Sequence, residues 1–273
     1  MKDNVLIFTC LGLLLHWVLP VTSTKIIFHP REAKPTTQNI PLDMAGKSVD
    51  DMYFSCFQKM TNTVEKKFFP KEMKDKTFSS VWNKAENCAN NNMKKKQDVD
   101  KALSKNHMQA ICLYTDGGKE KFYSTFNEAV RTGGSTYTTS FHYHSFHFWL
   151  TSAIQILRGN QQKCYRTYRR TNLKFKGKVN ERIRFGYFAS SSFNKNMAHF
   201  GKETCFCINT CYGADLKKYP KFGDMEKEVL IPPYEIFKVT KKNSRECLPE
   251  CKVRYTLESA GVLSYQNCKA VGT

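Results

Sequence analysis

Two glutamates one residue apart precede an apolar run and a double proline in Glu226-Lys227-Glu228-Val229-Leu230-Ile231-Pro232-Pro233. In an extended chain, residues two apart project from the same face. The spacing therefore predicts a strand-borne carboxylate pair, suited to stabilising a cation or moving a proton. The same pattern also keeps an exposed strand soluble, so groups elsewhere must decide between the two. One such group is Cys164-Tyr165-Arg166-Thr167-Tyr168-Arg169-Arg170-Thr171, where arginines interleave with aromatic rings. A guanidinium fork grips phosphate at two points and stacks on rings, a combination that suits a nucleotide pyrophosphate. A second is Phe188-Ala189-Ser190-Ser191-Ser192-Phe193, ahead of a helix-like Asn194 to Phe200. Its hydroxyls either cap that helix or meet a ligand at a sheet edge. No Gly-x-Ser-x-Gly surrounds them, which excludes the nucleophile-elbow pattern of a serine hydrolase.

Positioning these groups falls to a chain that changes character near Gly159. Before it, Met52, Tyr53, Cys56 and Met60 recur at helical spacing, and segments around Val81 to Ala89, Val99 to Tyr114 and Phe122 to Val130 repeat the period. The aromatic stretch Phe141 to Leu157 predicts a long buried helix. Asn90 to Lys96 predicts a surface loop between helices. His142, His144 and His147 suggest a metal site, but a helix separates His142 from the other two and no carboxylate completes a set, so packing is expected instead. After Gly159, short alternating runs at Cys164 to Thr171, Glu181 to Ala189, Thr204 to Tyr212, Glu228 to Ile231, Glu235 to Thr240 and Val253 to Leu257 predict antiparallel strands. The chain reads as α+β, a helical N-terminal half packed on a β-rich C-terminal half. The expected organisation is a signal peptide over 1–23, an extended arm over 24–48 and a single domain over 49–273.

The compartment follows from the N-terminus and the cysteines. An apolar run from Val5 to Leu19 followed by small residues at Val21-Thr22-Ser23 reads as a secretory signal, with no hydrophobic tail at the other end to suggest a lipid anchor or a membrane span. Of eleven cysteines, Cys10 falls in that signal, leaving an even number in a secreted chain, which favours disulfides over zinc. Cys205, Cys207 and Cys211 would share one strand face, where neighbours two apart are poorly placed to bond one another, so separate partners are expected. A formal net charge of +19 draws the chain towards acidic partners, including anionic cell surfaces. Secretion excludes nucleic acid as the partner.

An arginine strand, a serine junction and a Glu-x-Glu strand, in that order, resemble the vertebrate arginine-specific ecto-ADP-ribosyltransferases of the Arg-Ser-Glu class. Tyr114-Thr115, Phe126 to Arg131, Phe146 to Thr151, Phe188 to Ser192 and Glu226 to Pro233 each resemble family blocks, and the likeness spans nearly the whole mature chain. The resemblance implies an ADP-ribosyltransferase-like two-sheet core, with NAD as co-substrate, no metal, and proteins bearing exposed arginine as acceptors. It assigns the arginine to Arg169, five residues after Cys164, and the serine to Ser190 with Ser192 in support. Glu228 becomes the catalytic glutamate, and Glu226 the acid that accompanies transfer to arginine. It also implies that Lys217 to Asp224, with Tyr219 and Phe222, meets the protein substrate, and that Cys56 pairs with Cys268 and Cys164 with Cys211. Cys88, Cys112, Cys205, Cys207, Cys247 and Cys251 are left unassigned. Where the family usually has glycine after the arginine, this chain has Arg170, which is expected to set a bulky charge beside the cleft.

The implied reaction moves ADP-ribose from NAD to arginine and releases nicotinamide. Two alternatives use the same fold: an NAD glycohydrolase with water as acceptor, and a non-enzymatic basic binding protein.

Overall fold

The computed structural model describes residues 39–117, 122–161 and 164–272. The predicted signal peptide (1–23) and the first part of the predicted arm (24–38) lie outside the described residues. A continuous helical stretch begins with α1 (Phe57–Thr63), passes through a π-helical turn at Val64–Phe68 and ends in α2 (Phe69–Glu72). Helix α3 (Lys76–Lys84) starts where the Asp75 side chain accepts a hydrogen bond from the Phe78 amide at 2.8 Å, and it turns Phe78, Val81 and Trp82 inward. Helix α4 (Glu86–Lys94) follows directly, and α5 (Lys105–Tyr114) opens with Ser104 and His107 capping each other's amides. Helix α6 (Phe122–Thr132) buries Phe122, Phe126 and Val130, while α7 (His144–Gly159) is buried on nearly every side.

The α7 histidines serve packing. His147 Nδ1 hydrogen-bonds the Tyr53 hydroxyl at 2.6 Å and its Nε2 meets the Val49 carbonyl, while His144 stacks on Phe68 with ring centroids 4.1 Å apart. Burial pushes both imidazoles down, His147 to about 3 and His144 to about 4, so both are neutral.

The second half supplies β2 (Tyr165–Thr171), β4 (Arg182–Ile183), β5 (Ala189–Ser192), β6 (Thr204–Thr210), β7 (Ala214–Asp215), β8 (Glu228–Ile231), β9 (Glu235–Lys242) and β10 (Val253–Val262). They form one sheet in the order β4-β9-β10-β6-β2-β5-β8-β7, and a separate pair joins β1 (Ile40–Pro41) to β3 (Phe175–Lys176). The long sheet is nearly two sheets. Strand β2 pairs with β6 along its whole length, from Tyr165↔Thr210 to Thr171↔Thr204, but touches β5 only at Tyr168↔Ser192. A five-stranded half and a three-stranded half therefore splay apart at β2 and β5. The helices seal against Phe188, Leu216 and Leu230 of the smaller half. A second core, with Phe206, Phe237, Tyr255 and Leu257 on one side and Ala189 and Ile231 on the other, fills the space between the halves.

The structure corrects four sequence-based expectations. The strands are not all antiparallel: β10 runs parallel to β6, because alternation of side chains marks a strand without revealing its neighbour's direction. The run Glu181 to Ala189 is no single strand. Gly186 breaks it at φ +68°, so that β4 joins β9 at one edge while β5 joins β8 across the splay. A Cβ at Gly186 would lie 2.2 Å from that of Ala45, which explains the glycine. Asn90 to Lys94 belong to α4 and not to a loop, because buried Asn92 finds a tertiary partner in the Tyr219 carbonyl at 2.6 Å. Asn194 to Phe200 contain only a short 3₁₀ turn at Ala198–Phe200. There the Ser192 and Asn194 side chains bind amides two residues on and compete with a helix.

Disulfides link Cys56–Cys268, Cys88–Cys112, Cys164–Cys211, Cys205–Cys251 and Cys207–Cys247. Cys205, Cys207 and Cys211 thus reach three separate partners, and the bonding as a whole fits an oxidising, extracellular environment. No helix among the described residues is long and apolar enough to cross a membrane.

Candidate active site

A cavity of about 260 Å³ opens where β2 and β5 diverge. Arg169, Ser190, Ser192, Glu226 and Glu228 all line it, contributed by β2, β5, β8 and the turn before β8.

Arg169 sits midway along β2. Its Nη1 donates to the Ser190 carbonyl at 2.7 Å and its guanidinium lies over the Tyr187 ring at 5.8 Å, so the side chain bridges the splayed halves. Across the β5–β8 ladder, Ser192 faces Glu228 and Ser191 faces Val229. The three serines differ in role. Ser191 and Ser192 spend their hydroxyl protons on the chain itself, donating to the Val229 and Glu226 carbonyls at 2.9 and 2.5 Å. Ser190 lines the cavity with its side chain interacting with both Glu228 and Tyr114.

Glu228 is only 5% exposed. Burial raises its carboxyl to about 7; the Ser190 hydroxyl pulls it back, the Glu226 charge pushes it up and Arg169 pulls it down. The neighbouring acid is a lesser influence than the dry environment.

The geometry of the two glutamates is not that of one strand. Strand β8 begins at Glu228, and Glu226 belongs to the preceding turn. Lys227 between them takes φ +44°, the left-handed conformation that reverses the chain so that both carboxylates line one cavity. The Phe193 amide holds the Lys227 carbonyl at 3.1 Å, and Ser192 holds that of Glu226, fixing the turn from both sides.

Arg170 also lines the cavity, but its charge does not stand in it. The guanidinium is buried, ion-pairs with Glu250, donates to the Lys195 carbonyl from Nε and Nη2, and lies 3.3 Å from Cys251 Sγ through Nη1. In place of glycine it clamps the cavity wall around Asn194 and Met197 to the loop closed by Cys205–Cys251 and Cys207–Cys247.

Tyr219 does not face outward either. It is 2% exposed, with its hydroxyl on Asp100 at 2.7 Å and its carbonyl held by Asn92, so it anchors the loop on which Phe222 is exposed. The supports missed by sequence reasoning are Tyr114 and Asn127. Tyr114 donates to the Phe188 carbonyl at 2.5 Å, while Asn127 accepts from the Phe188 amide and donates to the Tyr114 hydroxyl, so two helices fix the start of β5. Both residues fall in the quoted family blocks, which was the available signal. Arg131 secures the approach to β5 through the Phe185 carbonyl at 2.5 Å.

Comparison with known proteins bears on this arrangement. The family profile for NAD:arginine ADP-ribosyltransferase matches residues 42–259. NAD(P)(+)--arginine ADP-ribosyltransferase 2 of Gallus gallus is 33% identical over 233 residues, covering 84% of this chain and 72% of the relative. Human ecto-ADP-ribosyltransferase 4 is 34% identical over 252 residues, covering 88% and 76%. Among solved structures, the eucaryotic mono-ADP-ribosyltransferase ART2.2 superposes with a TM-score of 0.72 at 29% identity, covering 84% of this chain and 98% of that one. A variant of the same enzyme in complex with NAD superposes with a TM-score of 0.70. By profile, sequence and fold together, the chain belongs to the NAD:arginine ADP-ribosyltransferase family.

Proposed function

We propose that the chain transfers ADP-ribose from NAD to arginine side chains of proteins and releases nicotinamide, using Glu228, Arg169, Ser190 and Glu226. The observation that carries the reading is a buried carboxylate, Glu228, facing a cavity beside an arginine and a serine hydroxyl, with a second carboxylate two residues away. The cavity's chemistry fits NAD. Tyr123, Tyr168, Phe200 and Phe222 offer ring surfaces, and Arg169 offers a fork for pyrophosphate.

Cleavage of the nicotinamide–ribose bond leaves positive charge on the sugar, as in glycoside hydrolysis. Glu228 stabilises that charge, and its dry surroundings strengthen the effect. Ser190 orients the Glu228 carboxylate, and Ser192 holds the turn that carries Glu226. A guanidinium is fully protonated in water and a poor nucleophile, so Glu226 aligns the incoming arginine through paired hydrogen bonds and accepts its proton as the new bond forms. Secretion behind a signal peptide over 1–23, and attraction of the +19 chain to anionic cell surfaces, complete the proposal. Arg170 gives no support to a purely polyanion-binding role, since Glu250 engages its charge.

Parallel assays of nicotinamide release and arginine modification test the division of labour. Glu228→Ala is expected to lose both, and Glu226→Ala to lose transfer while retaining NAD cleavage within about tenfold. Equal loss of both activities in Glu226→Ala contradicts it.

A further inference from the structure

The loop between β7 and β8 carries two large apolar side chains in the open, Phe222 at 50% and Met225 at 71% exposure. The loop is held rather than loose. Tyr219 is anchored on Asp100 and Asn92, Lys217 Nζ lies 2.6 Å from Asp100, the Lys221 amide binds the Thr115 hydroxyl at 2.8 Å, and the Leu216 amide binds the Glu228 carbonyl. Gly223, at φ +68°, turns the chain immediately after Phe222. A fixed loop that exposes apolar surface at the cavity mouth fits contact with a protein partner.

Charge specifies that partner further. Lys218, Lys221 and Lys227 flank the apolar pair in sequence, and Lys94 and Lys95 end the helix whose Asn92 grips Tyr219. None of these lysines forms an ion pair among the described residues, whereas Lys217 is taken up by Asp100 and Lys96 by the Lys101 and Leu103 carbonyls. The carboxylates on and beside the same segments are Asp98, Asp100, Asp116, Asp215, Asp224 and the cavity-lining Glu226. Beside Phe222 itself the nearest charges in sequence are Lys221 and Asp224, with Lys218 behind and the cavity-lining Glu226, then Lys227, ahead. An arginine brings its own positive charge to this mouth, and carboxylates beside it in the acceptor would offset the repulsion.

We propose that the preferred acceptor is an arginine in an acidic protein segment with an apolar neighbour, read by the lysines, by Phe222 at the cavity mouth and by exposed Met225 on the same loop. This rests on the transferase reading above and names the substrate class for the same site.

The test uses the full mature chain, NAD and paired peptides. Each peptide carries one arginine and one leucine, with flanks of glutamate or of lysine. At low salt the glutamate-flanked peptide is expected to be modified with a kcat/KM about tenfold higher, and the ratio is expected to shrink towards one at about 0.5 M salt. The double variant Lys218→Glu/Lys221→Glu is expected to abolish or reverse the preference and leave acceptor-free nicotinamide release near wild type. Equal rates for the two peptides, or a preference that survives the double variant, overturn the acidic-acceptor proposal alone. Nicotinamide release with no labelling of either peptide, or of a small guanidino compound, overturns the transferase reading and this proposal with it.

Discussion

Among the described residues, two arginine–carboxylate arrangements contrast, one closed and one open. Arg184 and Asp50 meet at 2.5 Å with both side chains fully buried. Arg184 also donates to the Met44, Ala45 and Leu263 carbonyls, and Asp50 accepts from the Tyr265 and Gln266 amides. Every strong interaction is directed at the chain itself, tying the segment after β1 to the C-terminal segment near Cys56–Cys268. Arg169 and Glu228 form no such ion pair, and Arg169 donates to the Ser190 carbonyl at 2.7 Å at the wall of a cavity. Burial with all partners supplied marks a structural clasp. Burial with partners withheld, facing a cavity, marks a group held ready for a ligand.

The largest effect that separates the two is catalytic. Glu228→Gln is expected to lower nicotinamide release on the order of 10³-fold while the protein stays folded. Next comes stability: Asp50→Asn leaves Arg184 buried without its counter-ion and is expected to cost about 3–5 kcal/mol in denaturant unfolding. Inactivity of Asp50→Asn with unchanged stability, or unfolding of Glu228→Gln, would erase the distinction.

The pH dependence sharpens it. With the Glu228 carboxyl near 7 in the folded protein, kcat/KM for NAD is expected to rise with pH and reach half its plateau near 7. The linkage has the opposite sign for stability. A raised folded value makes the Glu228 contribution complete below its ordinary unfolded value of 4.5, and that contribution is lost as pH rises through about 7. Glu228→Gln is therefore expected to be more stable than wild type at pH 8, on the order of 2–3 kcal/mol, and to show little difference at pH 4. Thermal melts at the two pH values measure this.

The smallest expected effect belongs to Arg170, which combines both types: a clasp of the closed kind in the wall of the open site. Arg170→Gly is expected to raise KM for NAD about three- to tenfold with kcat little changed, because it frees the wall around Asn194 and Met197 without touching Glu228. A fall in kcat at constant KM would place Arg170 in the chemistry instead.

What the sequence disclosed depended on the range of the interactions involved. Helical period and side-chain alternation are local, and they were enough for the α+β division and for setting Arg169 and Glu228 on separate strands, but not for finding the short strand that carries the serines. The left-handed Lys227 was not legible. A lysine there gives no local sign, and the turn is held by Ser192 and Phe193 more than thirty positions earlier. The fate of Arg170 depended on Glu250, eighty positions away, and that of Tyr219 on Asp100 and Asn92. Pairing direction was hidden for the same reason, since β10 chooses β6 through contacts that alternation does not encode.

The most direct measurement is to incubate the mature chain with NAD labelled on the adenylate and an arginine-bearing protein, and to count acceptor label and nicotinamide for wild type and Glu228→Ala. The account predicts label on arginine, at most one ADP-ribose per nicotinamide released, and loss of both signals in the variant. Undiminished nicotinamide release or arginine labelling by Glu228→Ala would contradict it.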